Sequence, residues 1–330
     1  MSEIIPAIAM PTVSIVIPAY NAMKYLPETV ASVMGQTYRD FEIVLVNDGS
    51  SDHIKEWVAA QDIPQLRLIS QENRGLSGAR NTGIKHALGR YVALLDADDL
   101  WEPTKLEKQV QVLEAHPDVG LVYTWTALID EQGALTGRYY RRHEEGNVWS
   151  TLVEFNVVGC GSVPLLRKSC LEESGEFDEN LKSFVEDWDL WLRMARRHLF
   201  KVVKEPLVYY RQRPDSASKN WAAMEQSYNL VLQKNFGSHA PELAQFKPRC
   251  EGFIYLNLAW MALQGAGADQ GAAMQYQRRA VRAFPQIVLR LEFWRFCLAS
   301  TVSGVLGKSG YRNGRLLFSL LRNRLSLKRS

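Results

Sequence analysis

Over the first 130 residues, short β-branched runs alternate with stretches of helical period. Residues 13–17 form an apolar run that predicts a strand ending at Pro18. Residues 24–34 follow with Leu26, Val30 and Val33 on one helical face. Residues 41–46 predict a second strand, closed by the turn residues Asn47-Asp48-Gly49-Ser50. Ser51 or Asp52 is placed to cap the next helix, which carries Ile54, Trp57 and Val58. Residues 66–69 predict a third strand. Residues 76–88 predict a helix with Leu76, Ala79, Gly83 and Ala87 inward. A fourth strand at 91–95 runs straight into Asp96-Ala97-Asp98-Asp99. This alternation predicts right-handed crossovers and a mostly parallel sheet with helices covering both faces. Ligands bind outside the carboxyl ends of such strands, so the Pro-Ala-Tyr, Asn-Asp-Gly and Asp-Ala-Asp-Asp segments are expected on one edge.

Further along the pattern is mixed. Residues 119–128 and 135–141 flank the turn Asp130-Glu131-Gln132-Gly133 and predict an antiparallel hairpin. Strands are expected at 163–167 and 201–210. A helix is expected at 186–198 with Trp188, Trp191, Leu192 and Ala195 on one face. Beyond Pro214 the pattern is helical to the end, with a stripe of Trp221, Met224, Tyr228 and Leu232. Residues 256–263 and 272–283, separated by Gly265-Ala266-Gly267, predict one helical hairpin, too little for a repeat array. The expected organisation is an α/β domain over 1–215 and a helical region over 216–330.

Composition adds limits. With 46% hydrophobic and 23% charged residues, the 330-residue chain is of globular type and long enough to bury a core without staples. Cys160, Cys170, Cys250 and Cys297 form no CxxC pair, which argues against a disulfide scaffold or zinc ribbon and makes a reducing cytoplasm the simplest home. Glu3, Pro6 and Pro11 break any secretory pattern at the start. The longest candidate for a span, 252–268, is charge-free but holds Asn257, Gln264 and three glycines, so a packed helix is expected there rather than a membrane span. The net charge of +3 is uneven: residues 271–330 hold twelve Lys/Arg and one acid, Glu292, leaving −8 on the first 270. A mildly acidic body with a basic tail signals partners, not fold.

Several segments carry candidate chemistry. Asp96, Asp98 and Asp99 repel one another unless a cation sits among them. Their hard oxygens suit Mg²⁺ or Mn²⁺, and the alternative is a turn of helix-capping acids before Pro103. Asp48 either accepts from an imide N–H, as on uracil or thymine, or merely closes a turn. Tyr20 either packs its ring near that base or fills space. Residues 72–81 hold spaced glycines but neither GxGxxG nor GxxxxGK[ST], which excludes a P-loop. Within them Arg80 pairs with phosphate, pairs with the local carboxylates, or is a surface arginine. Glu186, Asp187 and Asp189 open a helix beside Trp188 and Trp191. They are either dipole partners or the setting of a carboxylate tuned as a general base. The six histidines are scattered with no i,i+4 pair, and no nucleophilic triad stands out.

Five segments in this order resemble the family 2 glycosyltransferases, inverting nucleotide-sugar enzymes of the GT-A fold. They are 13–21 (VSIVIPAYN), 46–52 (VNDGSSD), 73–81 (NRGLSGARN), 95–99 (LDADD) and 186–191 (EDWDLW), and the resemblance spans 12–212. It implies a GT-A-like, Rossmann-type, mostly parallel sheet with covering helices, followed by the helical C-terminal region. Pro18, Ala19 and Tyr20 would line the nucleotide pocket, Asp48 would contact the base, and Asn73 and Arg80 would sit near the nucleoside. Asp96 and Asp98 match the family's DxD, Asp98 binding the metal and Asp96 the metal shell or ribose. Asp187 matches the catalytic base. The implied reaction is metal-assisted, with Mn²⁺ or Mg²⁺. It moves a sugar from a nucleotide-sugar donor, with a UDP-sugar expected, to a hydroxyl on a glycan or lipid-linked glycan. Alternatives are a metal-dependent nucleotidyltransferase, which lacks its glycine- and lysine-rich phosphate loop here, and a non-catalytic nucleotide-sugar-binding subunit.

Arg141, Arg142, His143 and residues 156–162 are expected to border the acceptor site or to be ordinary surface loops. From 293 to 327 aromatic and aliphatic residues interleave with arginines. This suits either a peripheral helix on the anionic inner face of a membrane or a helix packed on protein. The acidic pocket side argues against nucleic acid, and an oligomer is left open.

Overall fold

The computed structural model describes residues 10–181, 185–213, 221–237, 241–264 and 268–305. The chain divides into two compact units, Met1–Ala217 and Ser218–Ser330.

The first unit opens with β1 (Val13–Ala19), α1 (Leu26–Met34), β2 (Phe41–Asp48), α2 (Ile54–Ala59), β3 (Leu66–Gln71), α3 (Gly75–His86) and β4 (Tyr91–Leu94). These strands lie in the order β3-β2-β1-β4, and every pairing among them is parallel. The register sets Ala19 beside Asn47 and Val16 beside Leu94, so three carboxyl ends reach one edge. All seven residues of β1 are buried, as a strand covered on both faces requires. The strand passes through Pro18 instead of stopping there. The last β1 residue paired with β4 is Val16, so the missing N–H of Pro18 falls beyond that ladder. The expected cap of α2 is absent: His53 is the N-cap with no side-chain bond, because Asp52 Oδ2 instead accepts the Met23 backbone N–H at 3.0 Å.

The unit continues with β5 (Leu100–Trp101), α4 (Lys105–Ala115), β6 (Val119–Ile129), β7 (Leu135–Tyr140), α5 (Trp149–Leu152), β8 (Leu165–Arg167), α6 (Lys168–Ser174), α7 (Glu186–Ala195) and β9 (Leu199–Arg211). The sheet extends as β4-β8-β6-β9-β5. The β4–β8, β8–β6 and β9–β5 pairs are antiparallel, and β6–β9 is parallel. The hairpin read from the 130–133 turn is β6–β7, antiparallel. Helix α7 buries Trp188, Trp191, Leu192 and Ala195. It ends at Ala195, and β9 runs from Leu199 to Arg211.

In the second unit α8 (Trp221–Phe236), α9 (Lys247–Gln264) and α10 (Gln270–Ala283) are followed by a helical stretch over 291–305. Asp269 caps α10 by accepting the Ala272 N–H at 2.9 Å. Gly252 lets α9 approach the end of α10: a Cβ there would lie 2.6 Å from that of Phe284. The turn at Gly265–Gly267 and the tail from 306 lie outside the described residues. Among the described residues no helix is long and apolar enough to cross a membrane.

Candidate active site

The loops at the parallel edge are held by short polar side chains at the ends of apolar strands. Asn47 Oδ1 accepts the Ser50 N–H at 2.9 Å, and Asn21 Oδ1 accepts that of Ser51 at 2.9 Å. Ser50 Oγ accepts the Asn21 N–H at 3.1 Å, so the loops after β1 and β2 are stitched together. Gly49 is required, since its φ is +75° and a Cβ would stand 2.8 Å from the Asn73 nitrogen. Asp48 is buried. Its Oδ1 accepts from Gln71 Nε2 at 2.7 Å and from the Arg74 N–H at 2.9 Å, which ties the loop after β3 to β2. Asn73 is exposed, and its Oδ1 accepts the Gly75 N–H at 3.2 Å. Pro18 and Ala19 are buried in β1, and Tyr20 emerges from its end 57% exposed.

The three aspartates after β4 point to different places. Asp96 receives Arg80 Nη2 on Oδ1 at 2.7 Å, and its backbone N–H donates to Ser162 Oγ at 3.0 Å. Asp98 pairs through Oδ2 with Arg213 Nε at 3.0 Å, and its carbonyl accepts from Arg211 Nε at 2.7 Å. Burial and then the charge of Asp96 push its carboxyl up, against Arg213. Asp99 does not join them in a cation cluster. It is fully buried, accepts from Ser162 Oγ at 2.5 Å and from the Arg211 N–H at 2.9 Å, and burial holds its pKa well above the carboxylate range. It anchors the loop to β9.

Arg80 of α3 is 1% exposed, which removes the surface-arginine alternative. Its Nη1 donates to Glu186 Oε1 at 2.7 Å while Nη2 holds Asp96, and its Cζ lies 5.3 Å from the Phe177 ring centre. Gly161 makes room for it, since a Cβ there would stand 2.2 Å from Nη2. Burial works against the guanidinium charge, but Asp96, Glu186 and Asp187 outweigh it and hold the pKa up.

Asp187 opens α7. Glu186 takes Arg80 and Asp189 takes Arg193 at 3.0 Å, whereas Asp187 forms no ion pair among the described residues. Its Oδ1 accepts the Trp188 N–H at 2.6 Å, and Asn156 Nδ2 lies 3.4 Å from Oδ2. Burial first, then the Glu186 charge, push its pKa up to about 7 against the pull of Arg80, with Asp96 adding to the rise. Asp96 and Asp187 therefore feel each other across one Arg80-centred cluster.

Glu186, Ser162, Gly161, Asn156 and Arg211 complete this arrangement. For Ser162 and Arg211 no local motif marks the role, because their partners are Asp96, Asp98 and Asp99, distant in sequence. Among the described residues no three His, Cys, Asp or Glu side chains converge into a metal cage. The donor set still fits a hard divalent cation. Mg²⁺ and Mn²⁺ take one or two carboxylates plus substrate phosphates, and the Asp96 charge that adds to the effect of burial on Asp98 is what such a cation would offset.

The sequence profile described as Glycosyl transferase family 2 matches residues 14–174. An uncharacterised glycosyltransferase of Methanocaldococcus jannaschii is 30% identical over 209 residues, 61% of this chain and 71% of that protein. The chain belongs to glycosyltransferase family 2. Its matches take in 34% to 59% of the lengths of five uncharacterised Rickettsia glycosyltransferases. Two solved structures share the family 2 chain's fold. S. aureus TarS 1–349 in complex with UDP-GlcNAc gives a TM-score of 0.56 at 15% identity, covering 84% of this chain and 90% of that one. The mannosyltransferase PcManGT from Pyrobaculum calidifontis, in complex with GDP-Man and Mn²⁺, gives 0.57 at 20% identity, covering 95% and 87%. The fold is thus of the GT-A type.

Proposed function

We propose that the chain is an inverting glycosyltransferase that moves a sugar from a nucleotide sugar to a hydroxyl of a glycan or lipid-linked glycan. The observation that carries this reading is the double bridge of Arg80, which holds Asp96 of the DxD segment and Glu186 beside Asp187 in one cluster. Pro18, Ala19 and Tyr20 line the nucleotide pocket, with Asn73 near the nucleoside. Asp48 contacts the base through Oδ2, since Oδ1 already serves two protein donors. An acceptor-only carboxylate suits a uracil N–H, hence a UDP-sugar. Both terminal nitrogens of Arg80 hold carboxylates, so Arg80 is a positioning residue, not a phosphate contact. A Mn²⁺ or Mg²⁺ held by Asp98, with Asp96 in its shell, supplies charge neutralisation for the leaving diphosphate when bound. Asp187 Oδ2 takes the proton of the acceptor hydroxyl as it attacks the anomeric carbon from the face opposite the diphosphate. With a pKa of about 7, Asp187 is ionised above neutrality yet basic enough for that task. One displacement inverts the centre. Trp188 and Trp191, both buried, fix the helix that aims it.

The test is release of UDP from UDP-sugars with Mn²⁺, with and without EDTA. Asp187→Asn is expected to bind donor and to lose at least about 100-fold in kcat. Wild-type turnover in that variant would refute the base assignment.

A peripheral membrane contact belongs to the same proposal. On the helical stretch over 291–305, Leu291, Trp294, Leu298 and Val305 are exposed and share one face, with Arg290 and Arg295 nearby. Full-length protein is expected to float with anionic liposomes, and Trp294→Ser with Leu298→Ser to stay at the bottom of the gradient. Equal behaviour of the two would remove the contact.

A further inference from the structure

Next to the cluster described above, the segment from 138 to 143 reads Arg-Tyr-Tyr-Arg-Arg-His, at the end of β7 and just beyond it. The pairing of Thr126 with Tyr140 brings Trp125 of β6 alongside. Arg141 lays its guanidinium over two rings, with Cζ 4.7 Å from the Tyr139 centre and 5.4 Å from that of Trp125. Arg142 lies over Phe155 at 4.0 Å, and its carbonyl accepts from Trp125 Nε1 at 2.8 Å. His143 packs edge-on to Trp125 with ring centres 5.1 Å apart. Among the described residues none of Arg138, Arg141 and Arg142 forms an ion pair with a carboxylate. The adjacent acids are turned to the main chain instead: Glu144 accepts the His143 N–H and Glu145 that of Val202. Tyr139 and Tyr140 are themselves exposed.

This strip joins the catalytic cluster through the chain itself. Phe155, under Arg142, precedes Asn156, whose amide lies 3.4 Å from Asp187 Oδ2. A guanidinium held over a ring with no carboxylate partner keeps N–H donors for a carboxylate or phosphate, and has already given up part of its rotamer freedom. An exposed tyrosine offers a flat apolar face with a polar rim, which fits the C–H face of a sugar ring. Charge and rings in alternation, linked through Phe155 to Asn156 beside Asp187 Oδ2, suit an acceptor that carries both.

The geometry points to an anionic glycan as the acceptor, its acidic groups held by Arg141 and Arg142 and its rings by Tyr139. This inference rests on the transferase reading above, but its test needs no turnover. Full-length wild-type protein is titrated calorimetrically with an oligogalacturonate and with its methyl ester, at low and at raised salt. The acid form is expected to bind about tenfold more tightly than the ester, the equivalent of one charge-assisted contact, and to weaken with salt. Arg141→Gln with Arg142→Gln is expected to erase that preference, with the melting temperature read alongside to verify the fold. Equal affinity of wild type for acid and ester overturns the inference, and so does a preference that survives in a folded double variant. A failure of UDP release in the separate turnover assay would strike the transferase reading and leave the titration standing.

Discussion

Arg80 and the arginines of the 138–143 strip carry the same guanidinium in opposite settings. Arg80 is 1% exposed and grips two carboxylates at 2.7 Å, whereas Arg138, Arg141 and Arg142 form no ion pair among the described residues and rest on rings or face solvent. Burial converts the first charge into geometry. Leaving would strand Asp96 and Glu186 in a low-dielectric site, so the group is fixed whether or not substrate is present. Exposure leaves the second set inexpensive to move and available to a ligand.

The sharpest way to break this contrast is Arg80→Met. Removing one partner of a buried pair leaves the other charge uncompensated, and a loss of about 3–5 kcal/mol in denaturant unfolding is expected, with transfer abolished. A loss below about 1 kcal/mol would place Arg80 among the exposed class.

Asp187 gives the next largest effect. Its pKa is raised from 3.8 to about 7, so ionising it costs folding energy. Its favourable contribution is complete below the unfolded pKa and is lost as pH rises through the folded one. Asp187→Asn should therefore come close to wild type near pH 4 and exceed it by about 4 kcal/mol near pH 8, measured by denaturation across pH. The wild-type rate should rise over the same interval, through pH of about 7, as the base ionises. A stability difference independent of pH would show that Asp187 is not the titrating group.

The smallest effect sharpens the other side. Arg141→Gln with Arg142→Gln should shift unfolding free energy by less than about 0.5 kcal/mol, because no carboxylate depends on either side chain. A larger loss would mean that the rings beneath them need the guanidiniums for packing.

The parallel half was legible because its signals are local. Each apolar run ends in the polar residues that make its loop, and β1 to β4 appear where those runs stand. Asn47, Asp48 and Asp96 were visible at strand ends for the same reason. What escaped depends on partners far along the chain. Nothing near Asp48 announces that Gln71 and the Arg74 backbone claim its Oδ1. Asp98 and Asp99 are neighbours with identical side chains, and only Ser162 and Arg211 turn the second into an internal anchor. Asp52 failed as a cap because Met23 competes for it. Arg80 kept three readings open until Glu186, 106 positions away, selected one.

The hydrogen at Gly161 acts as a keyhole. With only 2.2 Å between a would-be methyl carbon and Arg80 Nη2, even alanine would evict the guanidinium from its slot. The loop that carries Gly161 can therefore diversify around this point but not through it. A residue with no side chain of its own would govern whether the loop bearing Asp96 and the helix bearing Glu186 stay in step.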